Sequence, residues 1–427
     1  MAMVMTTGMA MDAIRAKTPR PVRSPSRRPA KRSGRNWALR GGLAIVAAGL
    51  GYVSTTQTLA FVIGKANIER AYALSPNDGR LAGRLAEKMA TADNSADARA
   101  ATALIARQAL DAEPLAISAL TALALTNLYE GNLAKARSIF VHSDALSRRE
   151  LGPRVWLIED AVTRKDVAGA LRHYDIALRT SRNARDVLFP ILVQAVADPA
   201  IAASLAATLR QRPAWGSDFL TFFGGLGPDP LVTAGFFRRL AGAGVAIPEV
   251  AQVTVVNALA KVGSYRESWA FYRTLRPGVD PRRLRDPDFT AELQTPSVFD
   301  WMPMMQDAGV TATISGGAFD FSAPAMVGGV VLQQVEQLPP GKYRLQGLSI
   351  GIEQPQQTAP YWRLSCIDGR ELGRVLLPSS NTHGGRFAGT LAVPADCSVQ
   401  TLQLVVRSST AISGAGGQIE QVTLSPI

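Results

Sequence analysis

Apolar residues recur at three-to-four spacing from Asn67 to about Leu275, the period of helices that bury one face. Beyond Asp300 that period gives way to short runs of alternating apolar and polar residues, separated by Gly, Pro and Asn/Asp turns. The runs at 310–315, 341–352, 362–366, 387–393, 399–407 and 418–424 predict strands. With one or two less regular runs they make roughly seven or eight, the number of an antiparallel sandwich or jelly roll. Within 399–407, Leu402, Leu404 and Val406 share one face, while Thr401, Gln403 and Val405 share the other. Between the two regimes, the stretch RPGVDPRRLRDPDF carries three prolines and mixed charge, a boundary signal. The pattern predicts a multidomain α-then-β chain: a helical-repeat domain over 64–277, a linker over 278–295 and a β-sandwich over 296–427.

A third pattern precedes both. Ten Lys/Arg lie in the first forty residues against one acid, Asp12, and the almost uncharged stretch 41–63 follows at once. That order predicts a transmembrane helix over 37–63, with the N-terminus in the cytoplasm and the remaining chain beyond the membrane. Trp37 sits at its start like an interfacial anchor. Ser54, Thr55, Thr56, Gln57 and Thr58 interrupt the apolar run, but hydroxyls can bond back to the helix. A cleaved signal peptide is the competing reading; its n-region would be too long, and no A-x-A site follows Tyr52 closely. The tail 1–36, with four prolines in 17–35, reads as disordered. It fixes topology and can lie on anionic lipid, at about 1 kcal/mol per Lys/Arg. A nuclear-localisation reading of 28–32 conflicts with a span beginning a few residues later. Five of the ten methionines fall in the first eleven residues, so Met9 or Met11 is an alternative start.

The net charge of +12 is a property of the tail. The first forty residues carry +9, and the other 387 hold 36 basic against 33 acidic residues, or +3. A nearly neutral body argues against a nucleic-acid partner. The only cysteines, Cys366 and Cys397, read in an exported domain as a disulfide. The loop it closes would contribute on the order of 3–4 kcal/mol. As a metal site the pair is incomplete, with only His383 between them, and no cofactor motif is present.

The helical region contains a repeat. Thr102, Ala136 and Ala170 are 34 residues apart, as are Ala106, Phe140 and Tyr174. A small residue followed four positions later by an aromatic lets two helices approach and fills the gap to the next pair. A fourth match, GSYRESWAFYRTLRP, carries Gly263, Ser268 and Tyr272 but follows Ala170 out of phase, Ser268 being 98 residues on. Residues 185–245 then hold divergent helices or an indel. The turn glycine is Gly131 in one repeat and is replaced by Lys165 in the next. These positions resemble the second-helix signature of tetratricopeptide repeats. The resemblance implies a curved stack that binds peptides or proteins in its groove. Trp156, Trp215 and Trp269 are expected in its core.

FDW at 299–301, QQVEQLPPGKYRL, YWRLSC and VPADCSVQTLQLVV together resemble galactose-binding-like jelly-roll domains, including those attached to helical repeats in bacterial envelope proteins. That resemblance implies carbohydrate binding and a bacterial cell, in which the positive-inside charge and the cysteine pair predict an inner-membrane protein with a periplasmic body. Sugar faces stack on exposed aromatics while amides grip hydroxyls. Trp301, Tyr361, Trp362, Phe319 and Phe321 are the candidate aromatics, with Gln354, Gln356 and Gln357 nearby. The competing reading puts Trp301 and Trp362 in the sandwich core. Tyr361 and Trp362 occupy opposite faces, so one of them is expected to be exposed.

One catalytic motif needs weighing. Gly347-Leu348-Ser349-Ile350-Gly351 matches G-x-S-x-G, and Asp368 and His383 follow in hydrolase order. The motif requires a strained strand-to-helix turn, whereas Ser349 lies in a β-alternating run. Asp300, Asp320 and Glu353 have nothing in the sequence to pair them for glycoside cleavage. The sequence thus predicts a non-enzymatic scaffold in envelope or exopolysaccharide assembly, with protein held by the helices and glycan by the sandwich. Its alternatives are a carbohydrate-binding protein with helices as spacer, or a serine hydrolase using Ser349.

Overall fold

The computed structural model describes residues 34–227, 229–305 and 309–427, without the side chains of residues 34–36 and 383. Most of the expected disordered tail therefore lies outside the described residues. The first element, α1 (Gly34–Ile63), includes a span at Trp37–Ile63 that is long and apolar enough to cross a membrane. The hydroxyls that interrupt it do bond backward: Thr55 Oγ1 donates to the Gly51 carbonyl at 2.8 Å and Thr58 Oγ1 to that of Ser54 at 2.8 Å. A four-residue turn then leads to α2 (Ile68–Leu74) and α3 (Gly79–Ala92). Ala60 of α1 is fully buried against Ile68, Ala71, Leu81 and Leu85, so the end of the span is packed onto the helical body.

The body continues through α4 (Ala96–Ala112), α5 (Ile117–Tyr129), α6 (Leu133–Leu146), α7 (Leu151–Thr163) and α8 (Val167–Thr180). It ends with α9 (Ala184–Ala195), α10 (Pro199–Arg210), α11 (Gly216–Leu226), α12 (Pro230–Gly242), α13 (Glu249–Lys261) and α14 (Tyr265–Leu275). Asp, Asn or Ser side chains cap the starts of α3, α4, α6, α8, α10 and α12. Helices α9, α11 and α13 touch in succession, as do α8, α10 and α12, which makes an α-solenoid. The out-of-phase repeat is reached through three slightly shortened helix pairs and not through one long insertion or deletion. The first helices of successive pairs begin at Leu151, Ala184, Gly216 and Glu249, spacings of 33, 32 and 33 residues that account for the observed 98.

The repeat positions are all buried, including Thr102, Ala136, Phe140, Ala170, Tyr174, Ser268 and Tyr272. Phe140 fills the gap to the next pair by stacking on Trp156 at 4.4 Å between ring centroids. Trp156, Trp215 and Trp269 lie in the core as expected. Gly131 turns with φ +80°, and Lys165 takes the same left-handed turn at φ +59°.

The sandwich is built from two antiparallel five-stranded sheets. In chain order its strands are β1 (Met302–Pro303), β2 (Thr311–Ser315), β3 (Ala318–Ala323), β4 (Gly329–Glu336) and β5 (Gly341–Ile350). They continue with β6 (Tyr361–Cys366), β7 (Glu371–Leu376), a short α15 (Ser380–His383), β8 (Arg386–Val393), β9 (Gln400–Val406) and β10 (Ala415–Pro426). One sheet has the order β1-β4-β9-β6-β7 and the other β2-β3-β10-β5-β8. Trp362, Leu364, Leu402 and Leu404 of the first face Phe319, Tyr343, Leu345 and Phe387 of the second in a common core. Cys366 and Cys397 form a disulfide that ties the end of β6 to the loop before β9.

Stack and sandwich meet in one continuous core. Phe299, Val335 and Val399 of the β region pack with Trp269 and Tyr272 of α14. Residues 278–295, expected as a linker, are folded into this junction and the sandwich: Leu284 and Phe289 are buried in the sandwich core. Arg285 is buried between the domains, paired with the fully buried Glu336 at 2.7 and 2.9 Å. The same guanidinium donates to the Phe299 and Val335 carbonyls and lies 5.2 Å from the Trp269 ring. Burial pushes the Glu336 carboxyl up, and Arg285 pulls against it.

Candidate functional site

The four residues read from the sequence as ligand contacts end in three different places. Trp362 points inward from β6 and is fully buried, its ring centroid 5.7 Å from that of Trp301. Trp301 is 4% exposed, and its Nε1–H donates to the Asp286 carbonyl at 2.9 Å. Trp362 offers no face to a sugar, Trp301 touches the wall of a cavity of about 720 Å³ while packed in the core, and Phe319 and Phe321 are likewise core. Tyr361 does sit on the opposite face from Trp362, but it is only 7% exposed. The expectation that one of the pair stands bare therefore fails, for a specific reason. The guanidinium groups of Arg374 and Arg407 lie 4.8 and 4.9 Å from the Tyr361 ring centroid and cover it. Gln356 is exposed in the loop before β6, beside a cavity of about 610 Å³ that Gln354, Arg386 and Phe387 also line.

The outer face of the first sheet carries a feature that the sequence pattern did not assemble. Arg374, Arg363, Gln403 and Gln333 stand in register on β7, β6, β9 and β4. Arg363 donates to Gln403 Oε1 at 2.6 Å, and Gln403 Nε2 donates to Gln333 Oε1 at 3.4 Å. The Arg363 Nε is buried without a partner, a donor left over in the row. Two residues beyond Gln333 on the same face, Val335 is buried in the helical core, and Gln337 Nε2 donates to the Tyr265 carbonyl at 2.6 Å. One end of this polar row is thus walled by the helical stack. The available signal is period two: Arg363 shares a face with Tyr361, and Gln403 lies on the face opposite Leu402 and Leu404. Nothing local says that β6 and β9 are neighbours.

The hydrolase motif has a structural explanation residue by residue. Ser349 is the penultimate residue of β5, is 1% exposed, and donates its hydroxyl to the Gly385 carbonyl at 3.1 Å. A Cβ on Gly347 would sit 2.1 Å from the Gln421 carbonyl oxygen and 2.5 Å from the Phe387 ring, so close strand packing requires glycine there. Gly351 leaves the strand at φ +70°. Asp368 is exposed in the turn after β6, and the His383 side chain lies outside the described residues. A strand without an elbow or a following helix does not present a nucleophile.

Asp300 is also committed elsewhere. Its Oδ1 accepts from the Tyr272 hydroxyl at 2.6 Å, and its Oδ2 from the Ser297 N–H and O–H at 2.8 and 2.7 Å. Burial, then the Asp300 carboxylate, push the Tyr272 hydroxyl well above its usual range. The last repeat's aromatic, with no further repeat to meet, is fastened to the sandwich.

No family model and no curated relative matches the chain. Among solved structures it overlaps the Glycosylation Associate Protein (Gap123) complex from Streptococcus agalactiae over 29% of this chain at 11% identity, with a TM-score of 0.22. The overlap spans 41% of that chain's length. A structure described as "CBM4 structure and function" overlaps 34% of this chain and 99% of its own, at 13% identity and a TM-score of 0.26. Accessory secretory protein 1,2 and 3 from Streptococcus pneumoniae overlaps 28% of this chain and 87% of its own, at 11% identity and a TM-score of 0.21.

Proposed function

We propose that the chain is a non-enzymatic scaffold anchored in the inner membrane by α1, with its body in the periplasm. The tetratricopeptide-like stack holds a protein partner, and the outer face of the first sheet holds glycan during envelope or exopolysaccharide assembly. The observation that carries this reading is the shared core between stack and sandwich, closed by the buried Arg285–Glu336 pair. A spacer needs no such joint. A scaffold that presents two ligands in fixed relation does.

The joint supplies the test. Eight Gly/Ser residues inserted after Pro277 of the full-length chain leave each binding surface intact but uncouple them. Pull-down from envelope extract followed by glycan-array probing reads both activities. A scaffold keeps the partner and the glycan separately but loses the tighter joint binding that fixed geometry gives; a module on a spacer shows no such loss. Topology is tested by alkaline phosphatase fused after Ile427, which must be active. Activity only of a cytosolic reporter at that position overturns the reading.

A further inference from the structure

Two cavities lie side by side on the helical stack. One, of about 720 Å³, is lined by Arg149, Arg179, Thr180, Ser181, Arg182 and Arg185, above the buried Leu178. The other, of about 600 Å³, shares Arg179 and adds Arg172 and Arg212 around Asp175. Six arginines thus line the pair against one carboxylate. That carboxylate is already engaged: Asp175 Oδ2 pairs with Arg179 at 2.6 Å, and Oδ1 accepts from Trp215 Nε1 at 3.0 Å. Arg185 pairs with Asp218 at 2.5 Å. Among the described residues, Arg149, Arg182 and Arg212 have no carboxylate partner.

Local helix chemistry explains only part of this. Arg179 in the last turn of α8 suits the negative end of that helix. Arg182 and Arg185 flank the start of α9, the positive end, where a cation is locally unfavourable. Arg212 holds φ +53°, a conformation that favours glycine. Arg149, Arg182 and Arg212 thus line open space without an acid to meet them.

We infer that this double cavity binds a carboxylate-bearing polysaccharide, an extended uronate-type chain whose acid groups sit in successive arginine forks. The inference rests on the proposed handling of glycan by an exported body. Arginine's planar fork takes a carboxylate through two parallel bonds, which a lysine cannot reproduce. Thr180, Ser181, Ser204, Thr208 and Gln211 add polar side chains at the walls for sugar hydroxyls. The large apolar lining residues, Leu171 and Leu178, are buried, so an acidic peptide finds no pocket for an anchoring side chain.

The test uses the full chain in zwitterionic detergent at low salt, titrated with oligogalacturonate, neutral dextran and poly-glutamate of matched charge. Oligogalacturonate is expected to bind, dextran not to bind, and poly-glutamate to bind more weakly. The triple variant Arg149→Gln, Arg182→Gln, Arg212→Gln should lose at least about tenfold in affinity, and the matching Lys triple about threefold. Arg107→Gln, exposed on α4 and outside both cavities, should leave this binding unchanged, and thermal melts confirm that each variant is folded. Wild type that ignores oligogalacturonate, a Gln triple that binds it normally, dextran bound equally, or poly-glutamate bound as tightly would each overturn the inference. With phosphatase active after Ile427 and capture of partner and glycan by the wild-type chain intact, such a result sinks the cavity alone. A cytosolic body sinks the reading beneath it.

Discussion

In the helical stack each pair meets only its neighbours, so the rule that buries Phe140 against Trp156 can be applied again one repeat later. In the sandwich every core residue depends on strands far away in sequence: Trp362 meets Trp301, and Phe387 lies over Gly347. The two architectures join where the repeat rule runs out of neighbours. Tyr272 occupies the repeat's aromatic position but packs on Phe299 and bonds to Asp300. The sandwich therefore acts as the cap that the open end of a solenoid needs. This predicts that damage at the joint spreads into both regions, whereas damage inside either stays there.

The largest expected effect is at the joint. Glu336→Ala leaves Arg285 buried without its counter-charge, at a cost of about 3–5 kcal/mol. Native-state hydrogen exchange should report lost protection in α14 and β4 together. A double change, Arg285→Met with Glu336→Leu, should recover most of the loss, because apolar side chains of similar volume suit a dry interface. Loss confined to the sandwich would break the idea of a shared core.

Next comes the disulfide, which belongs to one side of the comparison. Replacing Cys366 and Cys397 together by serine should lower stability by about 2–4 kcal/mol. Chemical denaturation should show the sandwich unfolding earlier while the helical signal of α5–α10 is unmoved. A milder probe of the joint is Tyr272→Phe, which removes only the hydroxyl that donates to Asp300. It should cost about 1.5–3 kcal/mol, because a buried carboxylate loses one of its donors.

The same contrast governs what could be read from the sequence. The span, the buried repeat positions and six of the strands were legible because each is a local period. The pairs at 185–245 were hidden because their spacing slips to 32 and 33 residues, so that α10 carries Ala206 at the aromatic position and Phe237, four residues after the buried Thr233 of α12, falls out of the 34-residue frame. Strand β4 was hidden because both of its faces are buried: Leu332 enters the sandwich core and Val335 the helical core, which erases alternation. The Arg285–Glu336 pair and the row Arg374, Arg363, Gln403 and Gln333 join residues that only sheet order brings together. Trp301 and Trp362 are sugar platforms by residue type alone; the core reading weighed beside that one is where the structure places them.

The smallest prediction tests how local the stack is. Lys165 adopts the left-handed turn that Gly131 adopts one repeat earlier, at φ +59° against +80°. A side chain in that region costs roughly 1–2 kcal/mol, partly offset by the greater freedom that glycine has when unfolded. Lys165→Gly should therefore stabilise by about 0.5–1 kcal/mol, read as a shift of the denaturant midpoint with unchanged slope. Because α7 and α8 touch chiefly their neighbours, the gain should show as slower exchange in that pair with no change in β4 or β9. Destabilisation would mean that Lys165 makes a contact worth more than its strain, and that this repeat is not interchangeable with the one before it.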